Sequence, residues 1–449
     1  TDQDVLETQV LKGSCAFLYT WDGTRFRFVT DIMWQSALGM PLGIMGKRET
    51  GNGKRGAISY APASASLEYV RIPGEALKPK NGRYVIQVTE ELWETAYLDQ
   101  LRLIAVDHPD SVAVFVDERF PPMRGTDLQL FPVVGRRPPR SARDERGADV
   151  LAEIKDHDYR YVSNLTPRHY QGLTDPHGLV LELDEQAGAP GGRTYLFLRG
   201  WIFPSDASIN VALSQQKILK SEMPVIEVRD ARGQWVSRGM IGFPAGKDKT
   251  MVIDLAGIFP TKDRHVRIRT NMQVYWDQAF VGVGSQELGV GDLQPKILAP
   301  ISGHLHYRGF SRMYRRGGRY GPHWFDYDDV TRESPWRPIT GAATRFGDVR
   351  PLLERSDDQY IVMLPGDEAT VEFDAAELRE VPPGWRRTFF LYSDGWIKDS
   401  DLNTAHGTTV EPLPYHAITS YPYAPGDVYP TDSARHRYQR EYNTRVIRR

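Results

Sequence analysis

Cys15-Ala16-Phe17-Leu18-Tyr19-Thr20-Trp21 runs into Asp22-Gly23 and continues as Arg25-Phe26-Arg27-Phe28-Val29-Thr30. Two strand-sized aromatic runs flank a pair that tolerates the positive φ of a type I′ turn, so the stretch reads as a β-hairpin. The same signal returns downstream. Asn81-Gly82 precedes Arg83-Tyr84-Val85-Ile86-Gln87-Val88, and the runs 101–106 and 111–116 flank the turn His108-Pro109-Asp110. Residues 39–66, with six glycines and few large apolar residues, read as a long surface loop. Cys15, just ahead of Ala16-Phe17-Leu18, reads as a small buried strand residue.

Working outward, three β blocks are expected. The first spans 1–134. Residues 135–149 hold two prolines and five arginines without apolar periodicity and read as a solvated linker, with an anion-binding patch as the alternative. The second block, 150–300, carries strand-sized runs at sandwich-like spacing, with Ile209 to Ile218 as its best helix. The third, 301–449, adds further strands, but 313–340 and 411–434 are Pro-, Tyr- and Gly-rich and should wrap over their neighbours. The fold class expected is mainly β: tandem antiparallel β-sandwich or jelly-roll-like domains with long wrapping loops.

Composition narrows the function. In 449 residues, 40% are hydrophobic and 25% charged, which fits a globular chain with a sizeable core. No apolar run approaches the ~18–20 residues of a membrane-spanning helix. Fifty-six basic against 58 acidic residues leave a net charge of −2, which argues against nucleic acid as the main partner. Forty-three of the basic residues are Arg and 13 are Lys, a bias towards the residue suited to fixed bidentate contacts. The single cysteine excludes an internal disulfide and a thiolate metal cluster. The sequence opens at Thr1 with no signal peptide after it, which points to a processed product or a piece of a longer protein.

Few motifs carry chemistry. Asp394, Asp399, Asp401 and Asn403 alternate oxygen ligands as in short Ca²⁺ loops, although the Gly and distal Glu of an EF-hand are missing. The competing reading is a turn held by Asx hydrogen bonds. His304 and His306 share one face of a strand and could hold a metal if His323, Asp326 or Asp328 supplied a third ligand. Glu90-Glu91 and Asp326-Tyr327-Asp328-Asp329 offer carboxylates for acid/base work, but only three-dimensional separation decides that. Trp201, Trp235, Trp276, Trp385 and Trp396 suit a sugar-stacking groove or, more commonly, cores and interfaces. Nucleophile elbows, phosphate-binding loops and paired metal-ligand motifs are absent.

Several longer stretches are similar to one family. Gly13-Ser14-Cys15-Ala16-Phe17-Leu18-Tyr19-Thr20-Trp21-Asp22-Gly23, Gly242-Phe243-Pro244-Ala245-Gly246 and Arg267-Ile268-Arg269-Thr270-Asn271-Met272-Gln273-Val274-Tyr275-Trp276-Asp277-Gln278-Ala279 resemble the C-terminal module of large bacterial FG-GAP/ASPIC-UnbV (cartilage-acidic-protein-like) and tetratricopeptide-repeat proteins. So do Phe325-Asp326-Tyr327-Asp328-Asp329-Val330 and Ser393-Asp394-Gly395-Trp396. The resemblance implies an exported bacterial protein, periplasmic or on the cell surface, with an accessory or scaffold role among other protein subunits. It brings no catalytic residues. The expected function is therefore non-catalytic protein–protein interaction, with the Arg-rich end Arg435 to Arg449 as a possible grip. The alternative is a carbohydrate-binding or carbohydrate-active protein using the aromatic surface, with Ca²⁺ as its candidate cofactor.

Overall fold

In the computed structural model, described residues are 16–35, 37–45, 57–121, 127–188, 193–284 and 293–448. Cys15 lies outside them. Strands account for 47% of the chain and helix for 7%, and every ladder between named strands is antiparallel. The chain is mainly β, and its sheets stack as sandwiches.

One sandwich is built from the two ends of the chain. Its first sheet runs in the order Phe26–Ile32, Ala16–Trp21, Arg83–Thr89, Asp367–Asp374, Ser302–Tyr307 and Gly347–Asp348. The second sheet pairs Lys296–Leu298, Glu94–Pro109, Trp385–Asp399 and Ser66–Ile72, with Ile361–Met363 also on Glu94–Pro109. Period-two alternation sends Ala16, Leu18, Ile86, Val88, Ala369 and Val371 into the shared core, where Leu103, Leu391 and Trp396 meet them. Phe17 and Tyr19, on the opposite face of the same strand, belong to a separate aromatic cluster.

The other sandwich is inserted between these two ends. One sheet orders Lys249–Asp254, Thr194–Ile202, Val274–Gly284, Phe131–Arg137 and Val112–Phe115. The facing sheet orders Ser141–Asp144, Leu173–Glu182, His265–Met272, Val225–Arg229 and Trp235–Met240. Leu181, Leu196, Leu198, Ile226, Val266 and Ile268 fill the space between them. The expected helix is present as Ala207–Ser214, capped by the Asp206 side chain, which accepts from the Ile209 N–H at 2.8 Å.

Pairing therefore crosses the expected block boundaries. Arg83–Thr89 of the first block lies against Asp367–Asp374 of the third, so the blocks 1–134 and 301–449 share both sheets of the split sandwich. The stretch expected as a linker, 135–149, supplies the end of Phe131–Arg137 and the edge strand Ser141–Asp144. The expected hairpin about His108-Pro109-Asp110 does not pair: Glu94–Pro109 stays in the split sandwich and Val112–Phe115 begins the inserted one. Within 39–66, Pro41–Met45 and Ala57–Tyr60 form a hairpin of their own.

Two other turns follow the local chemistry. Asn81 and Gly82 both take positive φ, 51° and 79°, and join Lys80 to Arg83 as a two-residue turn. At Asp22-Gly23 the loop is longer, with Trp21 opposite Phe26. There Asp22 Oδ1 accepts from the N–H groups of Thr24 and Arg25 at 2.8 and 2.9 Å, and only Gly23 has positive φ.

The end of the chain docks on its own sandwich. Asp432 caps the helix Ser433–Glu441, whose Tyr438 is buried and donates to the Tyr360 carbonyl at 2.6 Å. Arg445–Ile447 pairs with Gly341–Ala343, Arg435 binds Asp358 at 2.6 Å, and Arg445 forks onto Asp367.

Candidate functional site

The two sandwiches meet along a seam that is filled on one side and open on the other. On the filled side, Phe17, Phe28, Trp324 and Phe325 interlock with ring centroids 4.4–5.4 Å apart. Beside them Asp31 receives Lys247, whose N–H and Nζ both donate at 2.9 Å, while Lys249 Nζ donates to the Asp31 carbonyl at 2.7 Å. Burial alone would raise the Asp31 carboxyl, but the two lysines hold it below its ordinary range. Gly246 makes this approach possible, because a Cβ there would stand 2.2 Å from Asp31 Oδ1.

The open side is a cleft of about 1020 Å³. Seven arginines and one lysine line it against four carboxylates, Asp22, Glu75, Glu118 and Asp248. With a net charge of −2 on the whole chain, this concentration of positive charge is local. Arg199 and Arg387 spend theirs on bidentate pairs with Asp248 and Asp107, at 2.6–2.8 Å. Others have no carboxylate partner among the described residues. Arg71 Nε donates to the Val114 carbonyl at 2.9 Å, and burial with Arg199 nearby pushes it down to about 10, with Glu118 and Glu75 opposing from beyond ion-pair distance. Arg316 lies 3.9 Å over the Tyr159 ring, and Arg136 is exposed with the Phe280 ring 5.9 Å away. Trp385, 41% exposed, stands on the same cleft.

Among the described residues, two groups bring three potential metal-ligand atoms within 4.8 Å of one another. His157, Asp248 and Asp277 meet at the cleft, where His157 Nε2 lies 3.1 Å from Asp248 Oδ1 and 3.4 Å from Asp277 Oδ2. Burial, reinforced by Asp248, pushes Asp277 up to about 7, with His157 opposing. Arg199, followed by His157, overcomes burial and holds Asp248 far below the usual carboxylate range. The second group, Asp99, Asp358 and His416, lies in the split sandwich. Burial would lower His416, yet hydrogen bonds to Asp358 and Asp394 raise it to about 10. Asp99 is pushed up to about 8, mainly by burial, with Asp394 adding to it.

Neither set of expected ligands forms such a group. Asp399 Oδ1 accepts from the Asp401 N–H at 2.9 Å, and Asp401 Oδ1 from the Asn403 N–H and Ser208 at 2.8 and 2.7 Å. These are the contacts of an Asx-stabilised turn. Asp394 faces His416 instead, at 3.2 Å. His304 and His306 do share a strand face, with centroids 5.9 Å apart, but His304 is exposed and His306 leans to Glu368 at 3.4 Å. His323 is buried elsewhere, lowered to about 3 by burial and by Arg315 and Lys247, while Asp326 pairs with Arg312 and Asp328 with Arg25.

The other candidates are mostly structural. Glu91 accepts from Tyr19, Ser311 and Arg308, and Glu90 is buried and raised well above its ordinary value by burial and then by Glu94. Trp201, Trp276 and Trp396 are buried, and Trp235 is sandwiched by Arg229 and Arg267; Trp385 alone of the five is exposed. Sequence reasoning missed the cleft arginines and both histidine–carboxylate groups, because their members lie on distant segments. The signals were the excess of Arg over Lys and the arginine run 135–147, whose alternative reading as an anion-binding patch includes the cleft residue Arg136. Compared with protein-family models, curated proteins and solved structures, the chain matches none.

Proposed function

We propose that this is a binding protein that takes an acidic carbohydrate, a uronate or sulfated oligosaccharide, in the cleft between its sandwiches. The observation that carries the reading is the set Arg71, Arg136 and Arg316 on a 1020 Å³ cleft, guanidinium groups with no carboxylate at ion-pair distance among the described residues. Guanidinium matches the planar oxygens of carboxylate and sulfate better than ammonium does. The exposed Trp385 indole adds an apolar face on which a sugar ring can stack. The aromatic groove expected from five tryptophans is reduced to this one residue, and charge takes over as the main attraction. This reading does not call on Ca²⁺, because the arginines supply the charge that meets the anion.

An exported, accessory role within a larger assembly remains part of the proposal, with the cleft as its ligand-reading element. The Arg-rich end contributes less to it than expected, because Arg435 and Arg445 pair within the chain. Calorimetric titration with an oligogalacturonate, beside a neutral cello-oligosaccharide, tests the cleft directly. The uronate should bind with an affinity that falls steeply with added salt, and the neutral sugar should not bind. Equal affinity for both sugars, or none for the uronate and a sulfated oligosaccharide alike, overturns the reading.

A further inference from the structure

The second histidine–carboxylate group has a construction that anion binding in the cleft does not explain. Asp99 lies on Glu94–Pro109, and Asp394 on the neighbouring strand Trp385–Asp399, opposite Gln100. Asp358 precedes Ile361–Met363, and His416 comes from the segment that wraps over them. Three carboxylates from separate parts of the chain thus converge on one imidazole.

The two ring nitrogens face different surroundings. Nδ1 lies 2.6 Å from Asp358 Oδ1 and 3.8 Å from Asp99 Oδ2. Nε2 lies 3.2 and 3.3 Å from the two oxygens of Asp394 and 3.1 Å from Ser356 Oγ. Asp99 is completely enclosed, its Oδ2 accepts from the Asp358 N–H at 3.0 Å, and its Oδ1 has no hydrogen bond. A buried carboxylate oxygen without a donor is costly unless a cation or proton meets it.

We propose that His416 Nδ1, Asp358 and Asp99 bind one transition-metal dication of the zinc or manganese type. Asp394 then receives the Nε2–H and fixes the ring, the usual arrangement in which a carboxylate backs a metal-bound histidine. Ligands at ~2.1 Å around a tetrahedral ion stand roughly 3.4 Å apart, a value bracketed by the 2.6 and 3.8 Å separations here. One nitrogen with two carboxylates selects against Ca²⁺ and Mg²⁺, which take oxygen alone. Arg435 on Asp358 Oδ2 keeps the other oxygen of that carboxylate directed at the ring. The His416 side chain is 33% exposed, so an ion can enter and further positions can take water or a ligand.

The alternative is a site closed by the protonated imidazole alone. The charged groups about the ring are Asp358, Asp394 and Asp99, with Arg435 behind Asp358 and the Trp396 ring 4.6 Å away. Metal at Nδ1 must displace a proton, which separates the two cases. The full chain, stripped with a chelator and dialysed, is titrated with zinc chloride and with manganese chloride at pH 7 in two buffers of different ionisation enthalpy. Retained metal is counted by mass spectrometry. One ion per chain is expected for at least one metal, with protons released as the imidazole and the buried carboxyl give way to it. Asp99→Asn should abolish stoichiometric binding, Asp394→Asn should weaken it about 10- to 100-fold, and His157→Ala should leave it unchanged. Should Asp99→Asn fail to fold, ¹⁵N NMR of the His416 ring decides, because metal at Nδ1 moves that nitrogen and leaves Nε2 protonated. Failure to retain either ion, an ion indifferent to Asp99→Asn, or ring nitrogens that do not move overturns the site. None of these outcomes depends on whether the cleft binds sugar.

Discussion

Along one seam between the same two sandwiches, cations are treated in opposite ways. On the filled side Lys247 and Lys249 are buried and both close on Asp31, inside a wall of aromatic rings. On the open side Arg136 and Arg316 face a cleft with rings beneath them and, among the described residues, no carboxylate at ion-pair distance. The difference separates cohesion from recognition. A buried lysine must have its acceptor or the fold suffers, whereas a half-exposed guanidinium can wait for an anion from solution.

The sharpest way to break that contrast is at Asp31. Asp31→Asn removes the carboxylate to which the buried Lys247 ammonium donates, while Lys249 keeps the Asp31 carbonyl, and should cost about 3–5 kcal/mol, read from denaturant unfolding. A loss below about 1 kcal/mol would mean that water already reaches the lysines and that the filled side is not dry. Arg136→Ala should do the reverse. Stability should stay within about 0.5 kcal/mol, as for a surface change, while uronate affinity should fall about tenfold in calorimetry, the size of one lost charged hydrogen bond. Unchanged affinity moves the ligand away from the open side.

Asp277 tests the same boundary by pH. Its folded pKa is raised to about 7, so the native state keeps a proton that the unfolded chain releases near pH 4. This contribution to stability is full below pH 4 and is lost as pH rises to about 7. In Asp277→Asn the Tm should change less with pH across that window than in the parent. Identical slopes would show that Asp277 stays ionised beside His157.

The contrast also explains what was legible beforehand. Asn81-Gly82 specifies a two-residue turn through its own φ preferences, and the hairpin about Asp22-Gly23 formed with a longer loop held by the Asp22 side chain. His304 and His306 landed on one face because strand periodicity is local. The pairing of Arg83–Thr89 with Asp367–Asp374 has no local signature, since both strands alternate equally well against any partner. Hence the β class was readable, but not the insertion of one sandwich into the other. The sites failed for the same reason. Asp394 was singled out within its own acidic run, yet its contact is His416, brought in by the wrapping segment. The cleft arginines come from strands of both sandwiches, so no window of sequence contains them.

The smallest effect should come from Trp385. It is 41% exposed at the cleft and takes no part in any core cluster among the described residues, so Trp385→Ala should leave the Tm almost unchanged. If a sugar ring stacks on the indole, affinity for the uronate should fall a few-fold, matching the roughly 1 kcal/mol of an exposed aromatic contact. The salt dependence should not change, because the arginines are intact. A loss in Trp385→Ala larger than that in Arg136→Ala would invert the order of forces, making the open side an aromatic platform with charge as its steering field.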